Sequence, residues 1–128
     1  MISEPPGFVN YAPRRLLQAE GLFVAAASIL AFSRSGASWW FFAALILAPD
    51  LSILFYLFGA RLGAFAYNTV HVYLGPLLLL GHATLSGSPT ALAIALIWSA
   101  HIGIDRALGF GLKYRDGFRS THLGRIGG

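Results

Sequence analysis

Apolar positions along the chain gather into four long blocks separated by short polar breaks, and the blocks run over about 16–32, 39–58, 62–85 and 90–108. A bilayer core is ~30 Å thick, and a helix needs about 20 mainly apolar residues to cross it. The first block is short for this purpose. The breaks are Ser33-Arg34-Ser35-Gly36, Gly59-Ala60-Arg61 and Ser86-Gly87-Ser88-Pro89. All three are turn-forming, and links this short make consecutive helices antiparallel neighbours. No block alternates with period two, so a transmembrane β-barrel does not fit. The pattern predicts an all-α fold, an integral membrane four-helix bundle. Residues 1–13, with Pro5, Pro6 and Pro13, form an extended N-terminal segment in this reading. Residues 14–108 are the transmembrane domain, and 109–128 a basic, glycine-rich cytoplasmic tail.

Composition supports this class. Hydrophobic residues make up 56% of the chain and charged residues 11%, against about 25% charged in a soluble domain. Arg14 and Arg15 precede an apolar run ending at Ala25-Ala26-Ala27-Ser28, which resembles a cleaved signal. Glu20 interrupts that run and three more blocks follow, so it is read as a first membrane helix. With no cysteine, the chain offers no disulfide, thiolate metal site or cysteine nucleophile.

Charge placement orients the bundle. With four crossings, Arg14, Arg15, Arg61, Arg106, Lys113, Arg115, Arg119 and Arg125 fall on one side, and only Arg34 on the other. Cytoplasmic loops carry the excess of Lys and Arg. Both termini are therefore expected in the cytoplasm, in a multi-pass protein of the cell inner membrane. The net charge of +4 is accounted for by topology, and nucleic acid is not an expected partner. Trp39 and Trp40 fall at the outer interface, and Tyr114 and Phe118 beyond the inner end of the fourth block.

Ionisable groups in hydrocarbon cost at least ~2.5–3.5 kcal/mol each, so they are turned inward and paired. At ~1.5 Å rise per residue, Glu20, Asp50, Asn68, His71, His101 and Asp105 all lie in the cytoplasmic half. His82 lies near the outer end. His101 and Asp105 are i,i+4 and share a face, as do Asn68 and His71 at i,i+3, with Tyr67 adjoining. Pro49 lacks an N–H, which frees the Leu45 carbonyl and kinks the helix beside Asp50. Gly75-Pro76 is expected to bend the third block, and Gly59-x-x-x-Gly63 reads as turn glycines.

These polar residues support a cytoplasm-facing pocket. Asp50, His71, His101 and Asp105 are its candidate catalytic groups, acting either as an acid–base set or as ligands of a divalent metal. Glu20, Tyr67, Asn68, Lys113 and His122 are candidate ligand-binding residues. The bland reading is that the same groups hydrogen-bond one another and lock the helices in register. Asp105 and Arg106 also fit a simple interfacial charge pair. The tail, GFGLKYRDGFRSTHLGRIGG, lacks Walker spacing. It reads either as an interfacial segment on anionic lipid or as a lid bringing Arg119, Thr121 or His122 over the pocket.

The strings LLQAEG (16–21), SWWFFAALILAPDLSILFYL (38–57), YNTVHVYLGPLLL (67–79) and HIGIDRALGFGLKYRDGFRSTHLGRIG (101–127) resemble the bacterial membrane family catalogued as domain of unknown function number 4260. The resemblance covers nearly everything after Pro13. It implies a short multi-helix membrane protein with no established activity. It also implies that Glu20, Asp50, Asn68, His71, His101, Asp105, Lys113 and His122 occupy motif positions. Phe110 stands where the family's GYGLKY string has tyrosine, so no hydroxyl role carries over there.

Two functions remain open at this level. One is a membrane-embedded enzyme or small-ligand site for a lipid-soluble molecule. The other is a non-catalytic helical subunit that scaffolds a larger membrane complex. Membrane lipids are expected partners, with a homo-oligomer or larger complex compatible with either. Neither a cofactor nor a metal identity is legible.

Overall fold

A computed structural model describes residues 11–113 and 120–125. Tyr114, Phe118 and Arg119 lie outside the described residues. The fold is all-α apart from a two-residue antiparallel ladder. Its helices are α1 Tyr11–Arg34, α2 Trp39–Leu45, a 3-10 helix Ala48–Phe58, α3 Ala60–Val70, α4 Leu74–Ser86 and α5 Pro89–Ala107. Strands β1 Ser120–Thr121 and β2 Gly124–Arg125 follow.

The first and fourth apolar blocks are single helices. α1 begins earlier than expected, so residues 11–13 are helical rather than extended. Pro13 sits in the first turn, where its missing N–H leaves no intrahelical bond unmade. α5 starts on Ser88, whose hydroxyl accepts from the Ala91 N–H, with Pro89 in the first turn.

The second and third blocks are broken, each beside its polar residues Asp50 and His71. In the second, α2 ends at Leu45 and the chain rewinds as a 3-10 helix from Ala48. Pro49 is the cause, but the freed carbonyl differs from the expected one. An i→i+3 pattern pairs residue 49 with residue 46, so it is the Ile46 carbonyl that loses its N–H. In the third, the helix stops at Val70 and restarts at Leu74. The bend precedes Gly75-Pro76 because a proline ring clashes with the carbonyl four residues back, at Val72. Gly36, Gly59 and Gly87 turn the chain with φ of 79°, 117° and 68°, values that favour glycine.

α5 is the central element, with α1, α2 and α4 packed on it, while the 3-10 helix packs mainly on α3. Small residues make this closeness attainable. A Cβ on Gly103 would collide with the Gly21 carbonyl and the Ala25 backbone, and one on Gly21 with Arg106. Gly63 lies under the Tyr56 ring, and Gly75 under Trp98. A hydrophobic core of Phe32, Ala93 and Ile97 is ringed by Phe41, Phe42 and Leu45. The outward surface is apolar: Leu22, Phe23, Leu30, Trp40, Leu57 and Leu85 are all exposed.

Candidate functional site

Each break delivers one residue to a common point. Asp50 stands in the first turns of the 3-10 helix, and His71 is the cap residue that ends α3. His101 and Asp105 lie one turn apart on α5. One ligand-type atom from each of the four lies within 4.8 Å of the other three. His101 Nε2 is 3.1 Å from Asp50 Oδ1 and 3.2 Å from Asp105 Oδ2. His71 Nε2 is 3.2 Å from the same Asp50 oxygen and 3.5 Å from Asp105 Oδ2. The two Nε2 atoms are 3.2 Å apart.

The other ring nitrogens fix the tautomers. His71 Nδ1 is 2.8 Å from the Tyr67 carbonyl, and His101 Nδ1 is 2.5 Å from the Ile46 carbonyl. A carbonyl only accepts, so each Nδ1 carries a proton and donates. Each neutral ring therefore turns the lone pair of Nε2 inward. The Ile46 carbonyl, freed by Pro49, is thus the group that orients His101.

The carbonyls exposed at the end of α3 are satisfied from α5. Trp98 Nε1 donates to Val70 O at 2.7 Å, and Arg106 donates to His71 O at 2.8 Å and to Phe110 O at 3.1 Å. Arg106 is therefore a buried clamp on the broken helix. No Asp105–Arg106 ion pair forms among the described residues, so the interfacial pair expected there is replaced by this role. Trp98 carried no sequence signal, and the Ile46 carbonyl only its distance from Pro49.

The other candidates separate. Tyr67 is buried, and its ring stacks on His71 at 3.6 Å between centroids and 9° between planes. Lys113 Nζ lies 4.7 Å from the Tyr67 ring centre, a cation–π geometry. Burial pushes the Lys113 ammonium down to about 8, with Asp105 and Asp50 opposing that shift. Asn68 does not join the cluster. Its amide pairs with the Lys113 backbone, donating to the carbonyl at 2.7 Å and accepting from the N–H at 2.6 Å. His122 likewise serves the tail, its Nδ1 accepting from the Leu112 N–H at 2.8 Å. Burial, then Arg106, lowers its basicity. Glu20 is exposed on α1, away from the cluster, because its position faces out from α5. His82 is also exposed. The described part of the tail folds back beside the end of α5, where His122 pairs with Leu112, and Leu123 is buried. The side chain of Thr121 lies outside what is described.

A family model described as domain of unknown function (DUF4260) matches residues 14–126. The chain belongs to that family. The DUF4260 match takes in all four clustered residues together with Asn68, Lys113 and His122. No curated protein and no solved structure matches the chain.

Proposed function

We propose that this DUF4260 protein crosses the inner membrane four times, with both termini cytoplasmic. Its function is carried by a divalent transition-metal centre held by Asp50, His71, His101 and Asp105. The observation behind the metal is the set of inward-turned acceptors. Two imidazole lone pairs and two carboxylate oxygens converge, and both rings donate their Nδ1 protons elsewhere. The two Nε2 atoms lie 3.2 Å apart and 3.1–3.5 Å from the carboxylate oxygens, and such acceptors repel unless something positive lies among them. Zinc-type bonds of ~2.0–2.1 Å in a tetrahedron give ligand edges of about 3.3 Å, which suits that spacing. The Tyr67 and Ile46 carbonyls act as the outer shell that metal-bound histidines require. Such a centre supplies Lewis-acid chemistry.

The membrane reading rests on the apolar exterior and on length. Residues Ala12–Arg34 and Trp39–Phe58 are each long and apolar enough to cross a bilayer. The eight-to-one distribution of basic residues supports the orientation.

Metal analysis of the purified protein after exposure to zinc, manganese or cobalt tests the centre. About one equivalent per chain is expected, as for a single four-ligand site, with loss in Asp50→Asn/His101→Ala. A folded wild-type chain that retains no metal overturns the reading; one proton between the two Nε2 atoms would then hold the cluster together. Because the native chain has no cysteine, single cysteines at Ser35 and Gly128 report topology directly. The orientation fails if both label from the same side.

A further inference from the structure

Resting on that metal reading, we infer that the 3-10 helix and α3 form a hinged arm, which the metal pins to α5 and which swings away when the centre is empty. The centre thereby converts its own occupancy into an arm position.

The arm packs as a unit. Its two helices run alongside each other, with Tyr56 over Gly63, and neither runs alongside α1, α4 or α5. Its buried residues are Ser52, Gly63, Ala64 and Tyr67, none with an aliphatic side chain larger than that of alanine. Little aliphatic burial therefore opposes its movement, which marks a segment of low local stability.

Both roots of the arm are interrupted, and α5 holds the chain there. Ile46 and Leu47 separate α2 from the 3-10 helix, and residues 71–73 separate α3 from α4. His101 donates to the Ile46 carbonyl, Trp98 to that of Val70 and Arg106 to that of His71. These bonds fix the pivots and do not reach along the arm. Hinges of this kind absorb their backbone change at a few residues at the ends of elements.

The four ligands divide across the hinge. His101 and Asp105 belong to α5, and Asp50 lies in the first turn of the arm. The His71 carbonyl stays with Arg106, but its ring stacks on Tyr67 and donates from Nδ1 to the Tyr67 carbonyl, so the ring follows α3. A closed arm thus offers the metal two ligands from each side, and an open arm leaves only the α5 pair together. A ligand shifts a conformational equilibrium through such a difference in affinity. Without the ion, the closed arm sets imidazole lone pairs against carboxylates.

Pulsed electron-electron spin resonance on the full chain in phosphatidylcholine nanodiscs tests the hinge. Nitroxides on Phe58→Cys and Ala19→Cys, both exposed, span the arm and α1, while Ala19→Cys and Leu85→Cys span α1 and α4. Zinc, which is diamagnetic, is compared with chelator, and bound zinc is measured in each sample. Zinc should shift the arm pair to a shorter, narrower distance distribution and leave the α1–α4 pair unchanged. Asp50→Asn/His101→Ala should keep the longer distribution in zinc. If the Phe58 pair does not assemble, Leu62→Cys with Ala19→Cys carries the same comparison. A wild-type chain that holds zinc with the arm distances it has in chelator overturns the hinge and leaves the centre standing. Movement of the α1–α4 pair makes the change global and also overturns the hinge. A chain that holds no zinc fails the metal reading itself, and the hinge falls with it.

Discussion

The Nε2 atoms of His71 and His101 face each other across 3.2 Å with their rings at 65°, although the residues are 30 positions apart in sequence. Each comes from a different packing unit. His71 ends α3, which packs with the 3-10 helix, and His101 lies on α5, which gathers the other helices. A metal between them would therefore couple the two units as well as supply chemistry.

That coupling should be measurable as heat resistance. Zinc at about 100 times its dissociation constant is expected to stabilise the fold by ~2.7 kcal/mol. Thermal unfolding in detergent with and without zinc would show an upward shift in the wild type. Asp105→Asn should lose most of it, and an equal shift in that variant would contradict the assignment.

The amide clamp makes a separate claim about the tail. Asn68→Ala removes both bonds to the Lys113 backbone and is expected to cost ~1–3 kcal/mol of local stability. Hydrogen exchange at the Lys113 amide should accelerate strongly, while amides in the middle of α5 keep their protection. Uniform acceleration would mean that Asn68 supports the whole bundle.

Small residues between α1 and α5 should be intolerant of a single methyl group. Gly103→Ala drives a Cβ into the Gly21 carbonyl and the Ala25 backbone, and overpacking of this kind costs ~1–3 kcal/mol. Gly81→Ala meets nothing within 4 Å and replaces a helical glycine, so a gain of up to ~1 kcal/mol is expected. Unfolding curves for the two variants should move in opposite directions.

Lys113 gives the fold a pH signature. Its ammonium ionises near 10.5 when free and about 8 when folded. Between those values the unfolded chain holds the extra proton, so stability rises with pH on this group's account. Below about 8 both states are charged and the burial penalty is present in full. Thermal unfolding from pH 7 to 10.5 should show the rise in the wild type. The difference from Lys113→Met should be flat below about 8 and change steadily from there to 10.5 if the assignment is right.

Much of this was legible in the sequence, and what was not has physical causes. The i,i+4 spacing of His101 and Asp105 put both on one face of a helix, and Pro49 announced a distortion beside Asp50. The apolar blocks located every helix. Their length concealed the breaks, because hydropathy does not register the loss of an i→i−4 bond. Depth alone grouped Glu20 with the others, but depth does not determine which way a helical residue faces. Arg106 counts in the sequence only as a topological charge because its partners are backbone carbonyls. These become available only after α3 has stopped, and no side-chain pattern records them.

The 3-10 winding of Ala48–Phe58 sets an angular register along the whole segment. At 3.0 residues per turn, positions six apart lie at the same azimuth. Asp50 and Tyr56 thus share one line, Asp50 toward His71 and Tyr56 against Gly63 of α3. Wound as an α-helix at 3.6 residues per turn, the same pair would diverge by about 120°. With Tyr56 held by α3, a relaxation of the winding would rotate the Asp50 carboxylate out of reach of the imidazoles. The pitch of one helix would thus act as a gear that sets whether Asp50 meets the two imidazoles.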